Sequence, residues 1–308
     1  VGQQRRGFVL ALLAYLSWGF FPLYWQLLAP AGAFEILAHR IVWTLIVVAI
    51  LVAATRRLPQ LRVLARDRRK VRFLAVGAVV IAINWGMYIL GVLTGHVVET
   101  SLGYFINPLV TIVLGVLVLG ERLRWFQWLA LAVAASAVVE LTFDYGQVPW
   151  LSLTLACSFG TYGLMKKKAD VGTVEGLTVE TVLLAPIALG YLLITGFAGH
   201  ATFGHFGLGN AIALAGTGII TAIPLLCFGA AATRVPLTTM GLLQYLVPSI
   251  QFTIGLVVFH ESMTTARWVG FGLVWLALAM ITAESLLVRR KEKRTILAQE
   301  QPVAATAT

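Results

Sequence analysis

The residues of this sequence that can do chemistry fall into two sets, and neither is arranged as a catalyst. His39 and Arg40 stand side by side in an apolar stretch that opens with Glu35, and Glu99 and Glu180 occupy comparable places further on. The second set is polar but uncharged: Ser17, Asn84, Tyr104, Asn107, Ser158, Thr221, Gln244, Tyr245, Ser249 and Gln251, accompanied by the aromatic Trp18, Trp85 and Tyr88. His39, His96, His200, His205 and His260 are scattered, with no H-E-x-x-H to hold a metal, and neither Cys157 nor Cys227 has a histidine in its own run. No G-x-S-x-G and no phosphate-cradling glycine loop occurs. No catalytic residue, metal or cofactor is therefore assigned. What remains for these side chains is binding.

The elements that must position them are set by the bulk of the chain. It has 308 residues, 59% hydrophobic and 12% charged, with a mean hydropathy of +0.88. That is too little charge to cover a water-soluble globule of this size, so lipid must be most of its solvent. About ten apolar runs are long enough to cross roughly 30 Å of hydrocarbon as helices: 8–28, 35–54, 72–93, 99–119, 125–142, 148–165, 176–197, 209–230, 237–259 and 267–287. Without strict two-residue alternation they predict helices rather than an outer-membrane barrel.

The formal charge of +10 would suit nucleic acid, but its placement argues for topology. Lys and Arg cluster at Arg5 and Arg6, between 55 and 72, at Arg122 and Arg124, at Lys166 to Lys168, at Arg234 and between 289 and 294. If ten helices alternate, every cluster falls on one side. The positive-inside rule makes that side the cytoplasm and puts both termini there. The expected partners are the bilayer and a small-molecule substrate, with no nucleic acid, and the oligomeric state stays open between monomer and homodimer. Residues 289–308 read as a disordered basic tail, having nothing to bury.

An internal repeat orders the helices. Shifting the sequence by 140 lays LGYFINPLVTIVLGVLVLGER over LLQYLVPSIQFTIGLVVFHES, matching Pro108 with Pro248, Gly115 with Gly255 and Glu121 with Glu261. A shift of 141 lays Ser17-Trp18-Gly19 over Ser158-Phe159-Gly160, and puts Glu180 at the place of His39. The chain reads as two five-helix repeats, 1–145 and 146–288, and five being odd, the second enters the membrane inverted. Pro108 and Pro248 each remove a helical hydrogen bond, freeing the carbonyls of Tyr104 and Gln244. Such carbonyls are tolerated inside lipid only where protein or a water-filled cavity meets them, so both prolines are expected to break their helices for gating. A packing kink against a neighbouring helix is the alternative.

Several longer motifs carry a resemblance. LSWGFFPLYW, EILAHRIVW, ETSLGYFINPLV followed by LGERL, YGLMKKK, PLLCFGAAATR and QYLVP together resemble the RarD branch of the EamA-type permeases, in the drug/metabolite transporter superfamily, over nearly all of residues 5–290. The resemblance implies an all-α integral membrane protein of ten transmembrane helices in two inverted repeats, set in the inner membrane. It implies a permease or exporter but supplies no substrate, since relatives in the superfamily move amino acids, nucleotide sugars, sugar phosphates and amphipathic drugs. Aromatic walls with few polar groups point to small amphipathic organic molecules, amino-acid-like metabolites or drugs such as chloramphenicol, moved by alternating access.

The residues expected to line the substrate site are Ser17, Trp18, His39, Arg40, Asn84, Trp85, Tyr88, Tyr104, Asn107, Ser158, Gln244 and Tyr245. Their polar groups need partners at mid-membrane, which either a shared cavity or interhelical hydrogen bonding would supply. Arg40 is expected to bond Glu35, Glu99 or a substrate anion, or else to anchor its helix by reaching outward. Glu99, Glu121 and Glu261 are assigned to structural pairing at helix ends. The competing function is a membrane-embedded enzyme acting on a lipid-soluble substrate.

Overall fold

The computed structural model describes residues 2–120, 123–146, 148–232, 234–235 and 237–304, all helices and connections. The helices are α1 Gly2–Gly19, α2 Phe21–Gln26, α3 Ala33–Ala54, α4 Leu58–Arg66, α5 Arg68–Leu93, α6 Val97–Leu119, α7 Trp125–Tyr145, α8 Trp150–Ala169, α9 Thr173–Phe197, α10 Gly207–Ala232, α11 Leu237–Leu243, α12 Leu246–Val257 and α13 Thr265–Ala304. Each of the ten apolar runs is helical. Among the described residues seven helices, α3, α5, α6, α7, α9, α10 and α13, are long and apolar enough to cross a membrane. The other three runs fall short for local reasons: the first is divided between α1 and α2, the ninth between α11 and α12, and α8 ends in Lys166, Lys167 and Lys168.

Between 55 and 72 the chain forms α4, an element the apolar pattern does not announce. Leu64 on α4 is buried with Leu74 of α5 and Ala169 of α8, and Arg57 is ion-paired to Glu175 of α9 at 2.8 Å, so this basic segment is docked by one leucine and one ion pair. Asp67 then starts α5, its carboxylate accepting the backbone N–H of Arg69 and of Lys70, both at 3.0 Å.

The breaks differ from the expected ones. α6 runs unbroken through Pro108, as α9 does through Pro186 and α10 through Pro224. A single missing N–H does not unwind these helices. Beside Pro108, Thr111 Oγ1 donates to the carbonyl of Asn107 at 3.0 Å, a bond within the same helix. In the second copy a break does occur, at Gln244 and Tyr245. There the carbonyl that Pro248 deprives of its usual partner accepts the N–H of Val247 instead, at 3.2 Å, a tighter three-residue turn. The tail differs as well: α13 continues to Ala304 through the segment expected to be disordered, because the run lacks glycine and proline up to Pro302 and is rich in Arg, Lys, Glu, Ala and Leu.

The chain forms two compact units, Val1–Leu114 with Trp150–Ser262, and Gly115–Pro149 with Met263–Thr308. In the first, packing is paired as the inverted repeat requires: α5 against α8 has its counterpart in α10 against α1, and α3 against α10 in α9 against α5. A methyl placed on Gly19 would meet Ile250, and one on Gly160 would meet Val110, the corresponding residues of the other copy. In the second unit α7 packs on α13, where Gly270 lets Leu141 approach closely. Arg267 is ion-paired to Asp144 at 3.0 Å beside a 2.8 Å bond from Thr264.

Candidate functional site

The predicted polar set is partly gathered at one place. Asn84, 1% exposed on α5, is the hub. Its Nδ2 donates to the carbonyl of Leu155 and to Ser158 Oγ on α8, both at 3.0 Å, and its Oδ1 accepts Tyr104 Oη of α6 at 3.1 Å. The Tyr104 ring stands edge-on to Tyr88 at 5.6 Å and to Phe159 at 5.9 Å. Two helices of the first repeat and one of the second are thereby tied by a neutral network in which both amide hydrogens of Asn84 are used.

Next to it lies Arg40 on α3, 4% exposed. Its guanidinium carbon sits 3.9 Å over the Trp85 ring, 5.3 Å from Trp25 and 5.7 Å from Phe21. Nε donates to Thr221 Oγ1 of α10 at 2.9 Å. Neither Glu35 nor Glu99 bonds it. Glu35 is committed elsewhere, accepting the backbone N–H of Thr202 at 2.7 Å and its hydroxyl at 2.8 Å. A charge deep in an apolar span costs about 2.5–3.5 kcal/mol. A desolvated cation–π contact contributes about 2 kcal/mol and a hydrogen bond from a charged donor about 1.5–3 kcal/mol. The aromatic box and Thr221 together offset the cost, so Arg40 is held without an acid.

His39 faces elsewhere. Its ring stacks on Phe203 at 4.9 Å, and its Nδ1 accepts Trp43 Nε1 at 3.3 Å. Glu35 and His39 together fasten the 198–206 connection to α3. Trp18 packs against Tyr15 and Phe228, and its carbonyl accepts Gln251 Nε2 at 3.1 Å. Ser17 bonds back to the Leu13 carbonyl within its own helix at 2.7 Å. Asn107 Oδ1 is buried with no partner, close to Gly160. Gln244 and Tyr245 form the break between α11 and α12.

Glu99 lends its backbone carbonyl to Ser152 Oγ at 2.7 Å. Glu261 receives the N–H groups that open α6, from Val97 at 2.5 Å and Val98 at 2.9 Å. Glu121 lies outside the described residues. Glu180 is buried with Lys166 Nζ at 3.0 Å and Tyr162 Oη at 3.1 Å. Matching α3 to α9 by their first-turn acids, Glu35 and Glu175, sets Glu180 opposite Arg40 rather than His39. Phe21 and Trp25, absent from the expected site, complete the box around Arg40; the aromatic run FFPLYW was their signal in the sequence. Among the described residues no three His, Cys, Asp or Glu side chains are grouped to hold a metal.

The EamA-like transporter family matches residues 5–143. Over 304 residues the chain is 52% identical to Protein RarD of Streptomyces exfoliatus, covering 99% of this chain and 96% of that one. The chain belongs to the EamA-like transporter family. A second relative, an uncharacterized transporter, PA0485, of Pseudomonas aeruginosa, is 41% identical over 281 residues, 91% of this chain and 94% of its own. A solved structure described only as a crystal structure of protein shares the fold at a TM-score of 0.60 and 20% identity, covering 93% of this chain and 99% of its own. As an EamA-like protein the chain is a multi-pass membrane transporter of about ten transmembrane helices, not an enzyme. The polar network and the Arg40 box are accordingly candidates for cargo contact.

Proposed function

We propose that this transporter moves small amphipathic organic molecules across the inner membrane by alternating access, with both termini cytoplasmic. The observation that carries the reading is the cluster of Arg40, Trp85, Tyr88, Tyr104, Asn84 and Ser158, drawn from α3, α5, α6 and α8 and closed by Thr221 of α10. Both repeats contribute. A rocking of one repeat against the other would therefore open and close the cluster, which is how inverted-repeat transporters present a site to each face in turn. Aromatic surface with a few polar groups suits an amphipathic solute better than a bare ion. The basic segments support the assigned orientation and leave nucleic acid no role.

The test is a ligand screen followed by transport. Detergent-purified protein is heated with amino acids, organic acids and amphipathic drugs, since a bound ligand raises the melting temperature by mass action. Compounds that stabilise are then followed in proteoliposomes. Ligands that stabilise yet never cross in either direction would overturn the reading.

A further inference from the structure

We propose that Arg40 receives a carboxylate carried by the cargo, so that the substrate class is an organic monoanion with an aromatic or branched apolar body. The proposal rests on the transport reading above and narrows it. Three observations carry it. First, Arg40 is 4% exposed, and its one donor bond is from Nε to Thr221 Oγ1; among the described residues Nη1 and Nη2 donate to no protein acceptor. The nearby acid, Glu35, makes its bonds through Oε1 to Thr202 and none to Arg40. Second, Trp85 covers the guanidinium face at 3.9 Å. A covered face leaves the edge of the planar fork, and the edge is the part that binds two carboxylate oxygens in parallel. Third, the indole N–H of Trp25, a fully buried neighbour of the same guanidinium, also lacks an acceptor. Unused donors around one buried cation are what an incoming anion completes.

The charge count selects a monoanion. Phe21, Trp25, Trp85 and Thr221, which touch the guanidinium, are all uncharged. One cation balances one negative charge, and a phosphate monoester would bring a second with nothing to meet it in a poorly solvated site. The open acceptors Gln251 Oε1 and Asn107 Oδ1 would suit a hydroxyl or ammonium elsewhere on the cargo.

The experiment compares phenylacetate with phenylacetamide, which has the same shape without the charge, on the full chain in nanodiscs. Phenylacetate, benzoate and 3-phenylpropionate are titrated in thermal unfolding, with phenylacetamide as the matched neutral probe. The expected result is stabilisation by the acid at concentrations at least tenfold below those at which the amide acts. Arg40→Lys should need about tenfold more acid for the same shift, because it keeps charge and loses the fork, and Arg40→Gln should no longer tell acid from amide. Equal response to acid and amide, no response to any of the three carboxylates, or an Arg40→Gln protein that still prefers the acid would overturn the proposal. If the variants do not fold, the acid and amide comparison on the unaltered protein decides alone. Transport of neutral amphipathic compounds with no acid preference would sink the proposal and leave the transport reading standing. An acid-selective shift without transport of any compound would do the reverse.

Discussion

The Glu261 carboxylate sits across the start of α6, one oxygen on the N–H of Val97 at 2.5 Å and the other on that of Val98 at 2.9 Å. A residue just beyond α12, the fourth span of one repeat, thus caps α6, the fourth span of the other, combining hydrogen bonding with the favourable field at a helix N-terminus. Glu261→Ala should lower stability by about 1–2 kcal/mol, and Glu261→Gln by less, since an amide oxygen still accepts one bond. Denaturation in mild detergent checks the order, and equal losses would show that charge rather than bond geometry matters.

Gly19 and Gly160 hold equivalent helix contacts that differ in tightness. A methyl on Gly19 would lie 2.8 Å from Ile250 Cδ1 and 2.9 Å from its Cβ, whereas one on Gly160 would lie 3.2 Å from Val110 Cγ1. The Cβ of Ile250 cannot swing away, so Gly19→Ala must separate α1 from α12, while Val110 has only tenths of an ångström to yield. We expect Gly19→Ala to cost about 1–3 kcal/mol and Gly160→Ala clearly less. Thermal unfolding of the two variants side by side would refute this if the ranking reversed.

The ten apolar runs were legible because lipid demands an apolar face of every span. The site was legible only by residue type. His39 and Arg40 are neighbours in sequence, yet successive residues on a helix point about 100° apart. One therefore reaches the 198–206 connection and the other the aromatic box. No spacing rule says which goes where. Phe21 and Trp25 belong to α2, which starts after a break at Phe20 that only Pro22 marks in an otherwise apolar run. Pro108 and Pro248 read alike in sequence, and only the neighbours of each decide whether its helix breaks.

Glu35 offers a test of the connection between α9 and α10. Its carboxylate holds the Thr202 backbone N–H at 2.7 Å, and a charge-assisted bond of this kind contributes about 1.5–3 kcal/mol. Glu35→Ala should speed hydrogen exchange at the Thr202 amide by about ten- to a hundredfold, with exchange in α5 unchanged. Acceleration spread evenly over the chain would mean global loosening instead.

Orientation can be read with single cysteines in a background lacking Cys157 and Cys227. Val63 is 71% exposed on α4, unlike the buried Leu64 beside it. Val63→Cys should be reached by an impermeant thiol reagent only after the cells are opened, and His200→Cys in intact cells, as the basic clusters require. Labelling of the Val63 position from outside would invert the topology.

The two prolines make the sharpest mechanistic comparison, because equivalent residues sit in unlike backbone. α6 is continuous through Pro108, whereas Pro248 follows the break at Gln244 and Tyr245, where Val247 N–H has taken the Gln244 carbonyl at 3.2 Å. Pro248→Ala supplies an N–H that can reclaim that carbonyl in helical register, so α11 and α12 should merge into one straight helix. If the break is the hinge of one gate, the merged helix should slow turnover several-fold while substrate affinity stays near its original value. Pro108→Ala restores a bond inside a helix that is already formed, so its effect should be a modest gain in stability with little change in rate. A stabilised Pro248→Ala protein that turns over at the original rate would make the break a packing feature. A Pro108→Ala protein slowed as much as Pro248→Ala would mean that α6 also opens at Pro108 during the transport cycle. Initial rates in proteoliposomes, measured at several concentrations of a transported compound, separate turnover from affinity and so distinguish these outcomes.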